Sequence, residues 1–123
     1  MHTVLLDTDY VIDFLRGIPS AHKQIVPLLQ SNTAFISILS VYELYAGMRP
    51  GEEEATDNFI QACRIEPVTT EIAKMAGTFR YKKRQKGITL SIVDCIISET
   101  AKAKNHKVAT HNKKHYLENS FLE

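Results

Sequence analysis

The chain has 123 residues, 44% of them hydrophobic and 24% charged, with a formal net charge of +1. A sequence of this length and balance builds one core, which excludes disordered and fibrous classes and leads us to expect a single domain over residues 1–123. No stretch approaches the ~18 uninterrupted apolar residues of a membrane span, and the first apolar run is too short for a secretory segment, so a cytoplasmic protein is expected. The near-neutral charge leaves a nucleic-acid partner open, because phosphate is bound by a local patch and not by the total.

In chain order, Thr3 to Leu6 reads as a short buried strand, followed by Asp7-Thr8-Asp9 and by Val11, Ile12, Phe14 and Leu15 at helical spacing up to Gly17. Ser20 to Gln30 carries Ile25, Val26, Leu28 and Leu29 and should be helical, with Pro27 kinking or dividing it. Ala34 to Ile38 is a second strand, after which Ser40 is placed as the cap of a helix that holds Glu43 and ends near Gly47. Glu52 to Cys63 puts Ala55, Phe59, Ala62 and Cys63 on one helical face, with acids at the end the helix dipole favours. Arg64 to Val68 forms a short strand that Pro67 assigns to the sheet's edge. Thr70 opens a longer helix through Ile72, Met75, Ala76 and Phe79, which runs into the basic stretch Arg80 to Lys86 and stops at Gly87. Ser91 to Lys104 is the next helix, Lys107 to Thr110 the last strand, and His111 to Leu117 a final helical turn. Cys63 and Cys95 lie within apolar helical patterns, which favours core thiols over a disulfide or sulfur–metal site. Short strands alternating with helices define an α/β class, a three-layer α/β/α sandwich around a short, mainly parallel sheet.

Three acids stand where packing alone does not put them: Asp7 closing the first strand, Glu43 in Ser40-Val-Tyr-Glu43, and Asp94 in Ile92-Val-Asp94-Cys. A carboxylate in apolar company must be protonated, paired with a cation or bound to a metal. Capping explains them singly, since Ser40-x-x-Glu43 and Ser91-x-x-Asp94 fit the capping-box pattern and Asp7 can cap the helix after it. Together they answer to a second principle. Ligands of parallel α/β folds sit beyond the carboxyl ends of the strands, where Asp7 and Thr110 to Asn112 lie, and a divalent ion is the simplest partner of convergent acids.

Asp9 and Asp13 are placed as solvated or paired acids. His111 and His115 have the four-residue spacing of zinc ligands on a helix, with His106 nearby, but lack further ligands and are placed at the surface beside a site. A phosphoacceptor receiver domain would need an Asp at the end of a central strand, and Asp57 lies instead on the polar face of a helix. The cations of Arg80 to Lys86 are read as the dipole-favoured end of their helix or as a phosphate contact.

Four segments carry a family resemblance: Leu5-Leu6-Asp7-Thr8 with Ile12-Asp13-Phe14-Leu15-Arg16-Gly17; Ser40-Val-Tyr-Glu43-Leu44 with Gly47; Leu90-Ser91-Ile-Val-Asp94-Cys95-Ile-Ile97; and Thr110-His-Asn112-Lys-Lys-His-Tyr116. In that order and spacing, over nearly the whole chain, they resemble PIN-domain ribonucleases, specifically VapC-type toxins of toxin–antitoxin pairs. The resemblance implies an α/β/α sandwich whose acids bind Mg²⁺ or Mn²⁺ and cleave single-stranded or loop RNA, leaving a 5′-phosphate and a 3′-hydroxyl. It implies Asp7, Glu43 and Asp94 as the catalytic and metal-binding acids and Thr110 as the hydroxyl that orients them, with Thr8 and Asn112 in support.

With such a site, Arg80, Lys82, Lys83, Arg84 and Lys86, and nearer to it Lys113 and Lys114, become RNA contacts. The resemblance further implies a homodimer and a small antitoxin whose tail covers the acids. Val11, Phe14, Leu28, Leu29 and Tyr45 would serve such interfaces or the core equally well. The chain departs from the family pattern at Asn112, where Asp is frequent, near His115, where a further Asp is common, and at Ser91, where many relatives have proline. A neutral amide adds no charge for a hard cation, so weaker metal binding is expected. The alternative is a catalytically weak or inactive RNA- or protein-binding module of the same fold.

Overall fold

The structure is a computed structural model and describes residues 2–122. Strands β1 (Val4–Leu6), β2 (Ala34–Ser37), β3 (Arg64–Glu66) and β4 (Lys107–Ala109) form one parallel sheet in the order β3-β2-β1-β4. In register, Leu5 lies between Phe35 and Val108, and Leu6 lies opposite Ala109.

Strand alternation splits the core into two faces. Val4, Leu6, Ala34, Ile36 and Ala109 meet Val11, Ile25, Leu44 and Phe59 of α1 (Thr8–Leu15), α2 (Pro19–Gln30), α3 (Ile38–Ala46) and α4 (Glu53–Ala62). On the other face Leu5, Phe35 and Val108 meet Ile97 and Ala101 of α6 (Ile92–Lys104), together with Tyr116. Helix α5 (Thr70–Gln85) forms the outer wall there, joined to α6 through Ala76, Leu90, Cys95 and Ile96. Helices cover both faces, which is why β1 and β2 are continuous apolar runs. A buried polar chain crosses the second face, where His106 Nε2 lies 2.6 Å from Glu66 and its Nδ1 meets the Thr3 hydroxyl.

The predicted elements form with their ends moved by one to three residues. Gly17 (φ 77°) and Gly87 (φ 80°) adopt the left-handed backbone that ends α1 and α5. Pro67 follows β3, an edge strand as expected. Both cysteines are free, and burial pushes the Cys63 thiol up to about 12. Of the residues weighed for an interface, Val11 is fully buried in the core, Phe14, Leu28 and Leu29 pack partly against it, and Tyr45 is exposed.

Two local expectations need correction. First, Ser37 and not Ser40 caps α3: its hydroxyl accepts from the Leu39 N–H at 3.1 Å, because β2 runs into the helix with no loop between them. Ser40 is therefore a fully buried residue of the first turn, and Glu43 stands deeper in the helix than a capping-box acid would. Second, α2 continues through Pro27 as a single helix. Proline lacks the N–H that would pair with the Lys23 carbonyl, and both residues are exposed, on the side of the helix open to solvent. Pro27→Ala restores the bond and should raise stability by about 1–2 kcal/mol, less than the ~3 kcal/mol propensity gap because proline also restricts the unfolded chain. Thermal melting checks this, and an unchanged or lower Tm would show that the helix tolerates proline without cost.

Candidate active site

The site begins where β1 ends. The Asp7 N–H donates to the Ala109 carbonyl at 2.9 Å, which extends the β1–β4 ladder by one residue and sets Asp7 beside Thr110. Asp7 caps α1, with Oδ1 accepting from the Thr8 N–H at 2.8 Å, while Oδ2 accepts from the Thr110 hydroxyl at 2.7 Å. The same hydroxyl accepts from the Asn112 N–H at 2.9 Å, so Thr110 shapes the turn after β4 and orients the acid at once. Asp7 is only 5% exposed. Burial pushes its carboxyl above the usual range, the Thr110 bond pulls it back, and the charges of Asp94 and Asp9 push it up again.

Glu43 reaches the same place from α3. Its Oε1 accepts from the Thr8 hydroxyl at 2.6 Å, and that hydroxyl lies 2.9 Å from Ser40 Oγ. Thr8 thus links two acids, holding Asp7 with its backbone and Glu43 with its side chain.

Asp94 arrives on α6. Its N–H donates to the capping Ser91 hydroxyl at 3.0 Å, but the carboxylate does not return to Ser91 as a full capping box would require. It turns instead to Tyr116, whose O–H donates to Oδ1 at 3.0 Å. Asp94 Oδ2 lies 2.8 Å from His115 Nδ1, close in distance but not aligned as a hydrogen bond, which leaves that buried nitrogen without a hydrogen-bond partner. Tyr116 is 1% exposed, and burial together with the charges of Asp7 and Asp94 pushes its phenol far up, keeping it a neutral donor.

Thr8 therefore joins Asp7 to Glu43, Thr110 holds Asp7, and Tyr116 holds Asp94 with its phenol in the field of both Asp7 and Asp94. Asn112 is half-buried, its side-chain amide unbonded among the described residues. No three of His, Cys, Asp and Glu close around one point among the described residues. Each carboxylate nonetheless keeps free lone pairs, and Asp7 and Asp94 repel one another without a lysine or arginine between them among the described residues. This donor set fits a hard ion such as Mg²⁺, which binds through one or two carboxylates and keeps most of its water. It does not fit zinc: His111 pairs with Asp13 at 2.7 Å, His115 lies against Asp94, and His106 is buried on Glu66.

The basic residues divide. Arg80 Nε donates to the Leu90 carbonyl at 2.8 Å and so braces the segment before α6. Lys82, Arg84 and Lys86 are exposed at the end of α5, and Lys113 sits over the Phe121 ring at 5.3 Å. Lys83 and Lys114 line a small cavity with His115 and Tyr116, the two side chains against Asp94. Sequence reasoning gave no role to Tyr116 and mistook that of Ser40. The available signal for Tyr116 was that a buried tyrosine hydroxyl needs a partner.

A parallel α/β/α sandwich that gathers carboxylates beyond the ends of its strands is the architecture of the PIN domain. The PIN domain family model matches residues 4–118, and the chain belongs to that family. Its relatives include Ribonuclease VapC10 of Mycobacterium tuberculosis, 30% identical over 113 residues that cover 92% of this chain and 85% of the relative. Ribonuclease VapC19 of the same organism is 33% identical over 115 residues, covering 91% and 90%. The fold is shared with VapBC2 from Rickettsia felis, solved bound to a DNA fragment from its promoter, at a TM-score of 0.81 and 23% identity over 98% of this chain and 97% of the other.

Proposed function

We propose that the chain is a metal-dependent endoribonuclease toxin, one domain over residues 1–123, that hydrolyses RNA phosphodiester bonds in the cytoplasm and is held inactive by a cognate antitoxin. The observation that carries this reading is the pair Asp7 and Asp94, each held by a neutral hydroxyl donor and near enough for their charges to repel. The ribonuclease relatives, matched over most of both chains, support it. Asp7 and Asp94, with Glu43, would hold Mg²⁺ or Mn²⁺. When bound, such an ion lowers the pKa of a water and neutralises charge building on the scissile phosphate. The chain's own groups do the rest: Thr8 and Thr110 fix Asp7, Tyr116 fixes Asp94, and Glu43, anchored by one oxygen, offers the other to the attacking water. Asn112 provides a neutral acceptor at the rim.

Two protein partners accompany this reading. Structural relatives include a toxin–antitoxin complex from Klebsiella pneumoniae and DNA-bound VapBC from Salmonella typhimurium. An apolar groove between α1, α2 and α4, lined by Phe14, His22, Leu29 and Phe59, would take the antitoxin, whose tail reaches the acids. Ile38, Tyr42, Tyr45 and Ile92 leave exposed apolar surface on α3 and α6 for a second copy of the chain. No helix among the described residues is long and apolar enough to cross a membrane.

The experiment is cleavage of labelled single-stranded RNA by the purified chain. Activity should require Mg²⁺ or Mn²⁺, vanish in EDTA, return on adding the metal, leave 5′-phosphate ends, and be absent in Asp94→Asn. Equal cleavage by Asp94→Asn would assign the activity to a contaminant and favour the binding-module alternative.

A further inference from the structure

An open groove of about 480 Å³ runs between α5 and α6, lined by Lys74, Lys82, Lys83, Lys86 and Lys102 against two acids, Glu99 and Glu118. Only three of these lysines belong to the basic run of α5; helix packing brings in Lys74 from one turn and more before it and Lys102 from α6. Phe79 and Met75 complete the lining, and Met75 is 40% exposed. The smaller cavity beside the acids shares Phe79, Lys83 and Glu118 with this groove and adds Lys114, His115 and Tyr116. Because His115 and Tyr116 are the side chains against Asp94, the two adjoining hollows span from the neighbours of Asp94 to Lys74.

The middle of that span already holds an anion. Lys102 Nζ lies 2.7 Å from Glu118 and 3.0 Å from Glu99, and Lys83 Nζ lies 3.7 Å from the other Glu118 oxygen. Both ammonium groups also lie over the Phe79 ring, at 5.4 and 5.0 Å. Ammonium groups beside an aromatic ring are the elements with which proteins hold single-stranded nucleic acid, cations for the phosphates and a ring for the bases. Glu118 is 52% exposed, and ion pairs at such sites contribute little to stability, so another anion replaces its carboxylate at small cost.

We infer that this groove carries the single-stranded RNA that flanks the scissile bond, a phosphate taking the place of the Glu118 carboxylate between Lys83 and Lys102. The assignment rests on the ribonuclease reading for the direction of the strand, but it is testable without cleavage. The full chain is titrated, in EDTA, into fluorescein-labelled single-stranded RNA of about 20 nucleotides, long enough to fill the groove. On this RNA, Lys82→Glu/Lys86→Glu should weaken binding about tenfold and flatten the salt dependence, which for about four phosphates has a log–log slope near −3. Glu118→Gln should tighten it about threefold, the opposite sign.

Wild-type affinity in both variants overturns the groove, as does weaker binding by Glu118→Gln, which would make Glu118 only a clamp between α6 and the segment after β4. Equal changes on duplex DNA overturn the single-strand assignment. If the binding changes appear but no metal starts cleavage, the ribonuclease reading falls and the groove stands; metal-dependent cleavage with unchanged binding gives the reverse.

Discussion

Asp7→Asn is expected to abolish RNA cleavage while leaving the chain at least as stable as before. Asparagine caps a helix as well as aspartate does, so its carbonyl oxygen keeps the bond from the Thr8 N–H, and the Thr110 hydroxyl turns from donor to acceptor. What disappears is a negative charge that is buried and faces Asp94 and Asp9. Its carboxyl is pushed up in the fold, so at neutral pH the ionised group costs folding free energy, and the neutral amide removes that cost. In metal-free buffer Tm should stay level or rise by about 3–5 °C, the shift that ~1 kcal/mol gives a chain of this size. Cleavage should fall by at least about 10²–10³-fold, as when an electrostatic group of an active site is lost. Mg²⁺ should raise the Tm of the wild-type chain and not of the variant, since a ligand stabilises only the form that binds it. A variant that cleaves within tenfold of wild type, or that melts well below it, would show Asp7 to be a structural cap.

This opposition of stability and activity also explains which parts of the site were legible. Apolar runs and alternation were enough to place the strands and helices, because covering the sheet on both faces leaves strands no polar side. Asp7 was conspicuous for the same reason, as the first charge after a buried run. Its hydrogen-bond partner was not, because Thr110 lies 103 residues away and meets Asp7 only through the register of β1 and β4. Ser37-Ile-Leu-Ser40 offers two caps within four residues, and the choice depends on whether a loop separates strand from helix, which no local pattern records. The capping pattern at Ser91 and Asp94 was half right: the serine caps, while the carboxylate answers to Tyr116. Adjacency likewise grouped Arg80 with Lys82 to Lys86, although the helical turn sends Arg80 inward to Leu90 and the lysines outward.

Tyr116 carries two roles that two substitutions separate. Its ring fills the core between the sheet and α6 with Leu5, Ile97 and Val108, and it is almost fully buried. Tyr116→Ala leaves a cavity there and should cost about 3–5 kcal/mol, the range for deleting a buried aromatic side chain. That is a fall in Tm of roughly 10 °C or more, read by thermal melting. Tyr116→Phe keeps the ring and removes only the hydroxyl on Asp94, so Tm should move by no more than the ~1 kcal/mol of one hydrogen bond. The consequence for activity is different in kind. Without the phenol, Asp94 is free to turn back toward the start of α6, and the Mg²⁺ concentration for half-maximal cleavage should rise several-fold while KM for RNA stays the same. Because burial and two acids hold the phenol neutral, this defect should not change between neutral and mildly alkaline pH. A Phe variant with wild-type metal dependence would reduce Tyr116 to packing. One with raised metal demand and an unchanged fold makes it the positioning residue that converts Asp94 from a helix cap into a metal ligand.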